Sequence, residues 1–224
     1  NYKKNITRII QYIGKVDLYY SISKIFNNNK EISYSIYKNT KTPYLECDNI
    51  FHPILKNDKN LVKNSICLTK NKKNALLFGP NASGKSIFIK TLILNVLLSQ
   101  TLTISFSNKM ILTPFNLLNT YIRIPDIVGK ESLFEAEVSR CKKYIDNLHS
   151  LNKGFSLIVC DEIFSSTNYF EGISAAYAIC KYIAKHKNSI NIITTHYHKL
   201  SILETKDKLY KCYKMKINSD KNKK

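Results

Sequence analysis

Residues 79–86 read Gly79-Pro80-Asn81-Ala82-Ser83-Gly84-Lys85-Ser86, a G-x-x-x-x-G-K-S spacing that lets a curled backbone wrap a phosphate. The flanking glycines allow the N–H groups between them to point inward at an anion. Lys85 then reaches the β- and γ-phosphates, and the Ser86 hydroxyl ligates Mg²⁺. Further along, the apolar run Leu157-Ile158-Val159-Cys160 ends in Asp161-Glu162. An acid closing such a strand can hold a metal-bound water. Its neighbour projects the other way along an extended chain and can polarise a water attacking the γ-phosphate. Alone, the acid pair reads as a solvated strand end; with the glycine-flanked loop upstream it reads as the second half of a site that binds and hydrolyses a nucleoside triphosphate. A third apolar run, 190–193, ends in Thr194-Thr195-His196. That places His196 at the carboxyl edge of the sheet, where ligands of open α/β sheets sit, ready to donate to the γ-phosphate or the attacking water. His196 and His198 make an H-x-H pair, but without C-x-x-C clustering or a nearby third ligand, zinc is disfavoured.

These groups need elements to hold them. The short run 75–78 suits a buried parallel strand, and 87–98 an apolar helix with its N-terminus toward the anion. Residues 1–26 predict a helix with apolar residues Ile6, Ile9, Ile10, Ile13 and Val16, and 31–70 a strand-rich subdomain. Short β pieces are expected at 102–106 and 121–124. Then come helix 133–150, strand 155–160, helix 170–186, strand 189–195, a short helix near 199–204 and a last edge strand over 213–217. Alternation of this kind predicts an α/β fold, a mostly parallel sheet with helices on both faces.

The 224 residues suffice for one α/β domain with a substantial core plus a smaller appendage. Six cysteines are scattered singly, of which Cys160 and Cys180 read as buried thiols; this suits an intracellular, reducing compartment, and no secretory signal is legible. The most apolar stretch, 87–106, is interrupted by Lys90, Asn95 and Gln100, so it reads as a core helix with no role in a membrane. A net charge of +19 invites nucleic acid, although lysines 70, 72 and 73 read as a solvated loop and general lysine enrichment accounts for about half of the charge. With Asn1 first and an apolar helix lacking a domain of its own, the chain is expected to be a piece of a longer protein.

Several motifs together resemble the ATPase domain of the MutS family of DNA mismatch-repair proteins. Gly79-Pro80-Asn81 is similar to that family's phosphate loop, and the stretch 161–172 has the landmarks of D-E-I-G-R-G-T-S-T-Y-D-G. Thr195-His196-Tyr197 resembles T-H-Y, 132–138 resembles S-T-F-M-V-E-M, His52-Pro53 resembles the H-P before the core, and 13–18 resembles the end of a lever helix. Phe164 and Ser165 depart from the usual glycine and arginine, and Leu61 stands where many relatives stack an aromatic residue on adenine. These departures lean toward a divergent branch, such as giant-virus or organellar relatives.

The resemblance implies a P-loop NTPase of ABC type, with 1–30 ending a lever-type helix, 31–217 forming the ATPase domain, and 218–224 a disordered basic tail. It implies ATP and Mg²⁺ as cofactors, a homodimer or MutS-like heterodimer, and double-stranded DNA engaged through the full-length protein. In such a dimer each nucleotide lies between the phosphate loop of one subunit and Ser132 of the other; read locally, Ser132 is a helix N-cap. An ABC engine for tethering or transport is the alternative, though no L-S-G-G-Q string occurs, and a nucleotide switch with little turnover is another.

Overall fold

Asn74–Phe78 (β5), Phe155–Cys160 (β9) and Ser189–Thr195 (β10) are short segments with apolar centres, and in the computed structural model they lie side by side as parallel strands. The structure describes residues 2–29, 31–58, 61–122 and 133–216. Lys211–Lys214 (β11) pairs parallel to β5 at one edge, and Phe115–Tyr121 (β8) pairs parallel to β9 at the other. The sheet order is therefore β11-β5-β10-β9-β8. Because successive side chains of a strand face opposite ways, each strand feeds two cores. Ala75 and Leu77 join one with Leu157, Val159, Ile190 and Ile192, while Leu76 joins the other with Ile158, Cys160 and Ile193.

Helix α2 (Lys85–Leu102) covers the first face. Its Phe88, Ile89, Leu92, Ile93 and Val96 recur at helical spacing and are buried there. It is long and apolar enough to cross a bilayer, yet half of it is buried against the protein, as suits a core helix. The second face is covered by α3 (Leu133–Ser150), α4 (Tyr169–Ala184) and α5 (Ile202–Thr205). Helix α4 starts where expected because the Asn168 side chain accepts from the Glu171 N–H at 3.0 Å.

The strands expected over 31–70 do not form a unit of their own. Ile36–Tyr37 (β2), Leu45–Ile50 (β3) and Asn64–Leu68 (β4) make a four-stranded sheet only with Lys109–Leu112 (β7), in the order β2-β7-β3-β4. Leu45, Ile66, Leu68, Met110 and Leu112 then share one core with α2, which fuses the two sheets across that helix. Ser33–Tyr34 (β1) pairs antiparallel with Ile104–Ser105 (β6). The strand expected over 102–106 is shortened to these two residues, because α2 runs on through Leu102 and is closed by Thr103 at φ 60°, its N–H on the Ser99 carbonyl. The N-terminal helix α1 (Tyr2–Asn27) is the longest element; Ile22 and Phe26 pack on a small cluster around Phe51 and Phe106, while Ile6, Ile9, Ile10, Ile13 and Val16 are each at least half exposed.

One buried polar group pins α2 to its surroundings. Asn95 is fully buried; it donates to the Thr91 carbonyl at 2.9 Å and accepts from the Phe106 N–H at 2.7 Å. Asn95→Ala is expected to cost about 2–3 kcal/mol of stability, because the Phe106 amide loses its only side-chain acceptor in a dry site. Urea unfolding measures this, and a change below about 0.5 kcal/mol would mean that the amide finds water instead.

Candidate nucleotide site

Every strand of the parallel sheet points its carboxyl end the same way, so three turns meet at one edge. In register, Thr195 lies beside Phe78, and Ile193 beside Cys160. The turns after β5 and β9 therefore flank the end of β10, and residues far apart in sequence become neighbours.

The turn after β5 is built on two glycines for different reasons. Gly84 sits at φ 89°, a left-handed conformation that side chains disfavour. At Gly79 an added Cβ would come within 2.6 Å of Ser83 Oγ and 3.1 Å of Met215 Cβ, so Ser83 would have to turn away and Met215 give ground. Pro80, Asn81 and Ala82 form the outer bend, exposed, with Ala82 at φ 60°. Inside the bend, Lys85 is 4% exposed and its Nζ donates to the carbonyls of Gly79 at 2.8 Å and Pro80 at 3.0 Å. Ser86 follows in the first turn of α2, whose free N–H groups and dipole face the same bend.

The acids sit across from that bend. The Glu162 carboxylate lies 2.5 Å from His196 Nε2 and 3.8 Å from Lys85 Nζ. Three of the residues picked from sequence are thus brought to one point. Asp161 accepts at Oδ1 from the Thr194 hydroxyl at 2.8 Å, and that hydroxyl accepts from the Glu162 N–H at 2.7 Å. Thr194 therefore ties the two acids together, a contact that the reading of the strand end overlooked. A pair of threonines closing the strand was the available signal. His198 turns elsewhere and stacks on Phe78, with ring centroids 5.9 Å apart. Ser132 lies outside the described residues, as do 123–131 and 217–224.

The residues present fit a nucleotide with Mg²⁺. Ser83 Oγ is buried without a hydrogen-bond partner among the described residues, in a bend whose amides suit an anion. Beside the bend opens a cavity of about 700 Å³, walled by Leu55, Leu61, Val62 and Ile87, with Lys214 and Lys216 among its lining. That volume and mixed lining suit a nucleoside-sized ligand. No group of three His, Cys, Asp or Glu side chains is placed to hold a metal among the described residues. The Ser86 hydroxyl and Asp161 carboxylate are oxygen donors of the kind Mg²⁺ takes, in the small number it takes when phosphate and water complete its shell.

Thr194→Val keeps the volume and removes the hydroxyl. It is expected to lower stability by about 1–3 kcal/mol, since the Glu162 N–H loses its acceptor, and to weaken Mg²⁺-dependent nucleotide binding as Asp161 loses its tether. Chemical denaturation and a Mg²⁺ titration read the two effects; no change in either would show that the hydroxyl ties nothing.

A parallel five-stranded sheet with flanking helices, and with a glycine-flanked, lysine-bearing turn and two acids at its carboxyl edge, defines a protein of the α/β class. The family model for MutS domain V matches residues 75–224. The chain is similar to the DNA mismatch repair protein MutS of Prochlorococcus marinus strain MIT 9312, with 35% identity over 155 residues, which is 69% of this chain and 16% of that protein. It is 33% identical over 213 residues to the MutS protein of strain MIT 9301, covering 92% of this chain and 23% of that one. With the MutS protein of Clostridioides difficile strain 630 the identity is 27% over 225 residues, 97% of this chain and 23% of that protein. The chain belongs to the MutS family. It spans less than a quarter of the length of these relatives.

Proposed function

We propose that this chain is the ATP-binding and ATP-hydrolysing domain of a MutS-like DNA mismatch-repair or lesion-sensing protein, of the ABC-type P-loop class. The observation that carries this reading is the meeting of Glu162, His196 and Lys85 beside the glycine-flanked turn. In this reading Lys85 leaves the Gly79 and Pro80 carbonyls for the β- and γ-phosphates, and the N–H groups of 81–84 hold the remaining oxygens. Ser86 and Asp161 hold Mg²⁺, which neutralises charge on the phosphates when bound. Glu162 orients a water and draws its proton as the water oxygen bonds to the γ-phosphorus. The bond from that phosphorus to the bridging oxygen breaks, and ADP and phosphate result. His196 shares its hydrogen bond between Glu162 and the γ-phosphate, which lets it report whether that phosphate is present.

Coupling to DNA would come through closure of a composite dimer, homomeric or between MutS-like partners, in which Ser132 faces the nucleotide of the other subunit. Double-stranded DNA would be held by parts of the longer protein, and α1, with its exposed apolar residues, would end a lever-type helix leading to them. Residues 31–217 would be the ATPase domain. The cysteines, free among the described contacts, support an intracellular, reducing compartment.

The test is phosphate release by the full chain with ATP, with and without Mg²⁺, alongside equilibrium binding of ATP. Mg²⁺-dependent release with saturable binding is expected. Tight binding with no release, even at protein concentrations that drive dimerisation, would favour a nucleotide switch, and absence of binding would end the proposal.

A further inference from the structure

The turn that follows the two acids is unusually committed. Phe164 occupies the left-handed backbone region at φ 54°, two residues after Glu162 at φ 53°. A residue with a Cβ disfavours that region, so its surroundings must compensate. They do so by burial: Phe164 is 1% exposed, its ring centroid is 5.8 Å from that of Phe134 on α3, and its carbonyl accepts from Tyr197 Oη at 2.6 Å. Two residues further on, the Ser166 hydroxyl donates to the Glu137 carboxylate, also on α3 and only 4% exposed. Phe134 and Glu137 are three residues apart on that helix, so they meet the turn from one face. A carboxylate buried this deeply is expensive unless hydrogen-bonded, which makes the Ser166 contact hard to surrender.

We infer that Phe164 and Ser166 latch α3 to the turn bearing Asp161 and Glu162, so that helix and acids shift as one body and the latch positions Glu162. The positioning half rests on the hydrolytic reading given above; the latch itself does not. Helix α3 follows directly on the segment containing Ser132, so a latched α3 would carry movement at that end of the helix to the acids.

The test uses the full chain with Phe164→Gly and Ser166→Ala, singly and together. The glycine relieves the left-handed backbone as it removes the ring, and the alanine removes only a hydroxyl; a thermal melt of each variant checks that the fold is kept. Hydrogen exchange in the first two turns of α3 is expected to quicken about tenfold in the double variant while α2 is unchanged. Single-turnover ATP cleavage is expected to fall about tenfold with ATP affinity held within about twofold, and Phe164→Leu, which refills the site, to recover most of both losses. Unchanged exchange in α3 would overturn the latch. Loosened exchange with cleavage at the parental rate would overturn positioning. A parent that binds ATP and cleaves none would defeat the hydrolytic reading and the positioning half with it, while exchange would still decide the latch.

Discussion

Lys85→Met is expected to weaken ATP binding about 100-fold or more, the largest effect on affinity among these substitutions. Methionine keeps the apolar stem and loses the ammonium. Two charge-assisted contacts to phosphate at about 1.5–3 kcal/mol each set the scale. A competing effect has to be weighed: Lys85 also holds the Gly79 and Pro80 carbonyls, at 2.8 and 3.0 Å, and the variant leaves them without that donor. Pro80 is exposed and Gly79 half-buried, so water entering the space left by the ammonium can replace it, and folding should suffer far less than binding. Calorimetric titration with ATP, paired with a thermal melt of the free protein, separates the two. Affinity retained within about threefold would show that the lysine serves the loop and not the ligand.

Glu162→Gln should leave binding intact and nearly stop cleavage. The amide keeps the shape and can still bond to His196, but it cannot accept a proton from water. Loss of a positioned base lowers such rates by about 10²–10⁴-fold. Binding should hold or tighten slightly, because a carboxylate 3.8 Å from Lys85 Nζ competes with phosphate for that cation. Single-turnover cleavage at saturating ATP reads the rate. Equal phosphate release by parent and variant would remove Glu162 from the chemistry, and a parallel loss of affinity would mean that its role is in holding the loop.

Much of this architecture is legible in the residues. The runs 75–78 and 157–160 are short, apolar and bounded by polar residues, and 190–193 is apolar but for Asn191, so each announces a buried strand whatever its neighbours. Asn168 with Glu171 three residues later announces the start of α4. The edge strand β8 is a different matter. Asn116, Asn119 and Thr120 interrupt its pattern, and only pairing along β9 from Phe155 to Cys160 makes Phe115–Tyr121 a strand. The region 31–70 reads as strands correctly but as a separate unit wrongly. Its sheet is completed by β7, which a local pattern cannot assign to a partner some sixty residues earlier.

The kinds of chemistry present follow from residue types alone. An anion-wrapping turn, a lysine, a hydroxyl, two acids and an imidazole are written out in order, because short-range spacing dictates what a turn or a strand end can offer. Which of them touch was decided by the order of the strands. Placing β10 between β5 and β9 brings Thr194 under both acids and seats Glu162 between His196 and Lys85. Parallel strands are joined by long crossovers, and a crossover leaves no local mark of the slot its strand will take. That slot is chosen by how α2, on one face, and α3 and α4, on the other, share the buried surface.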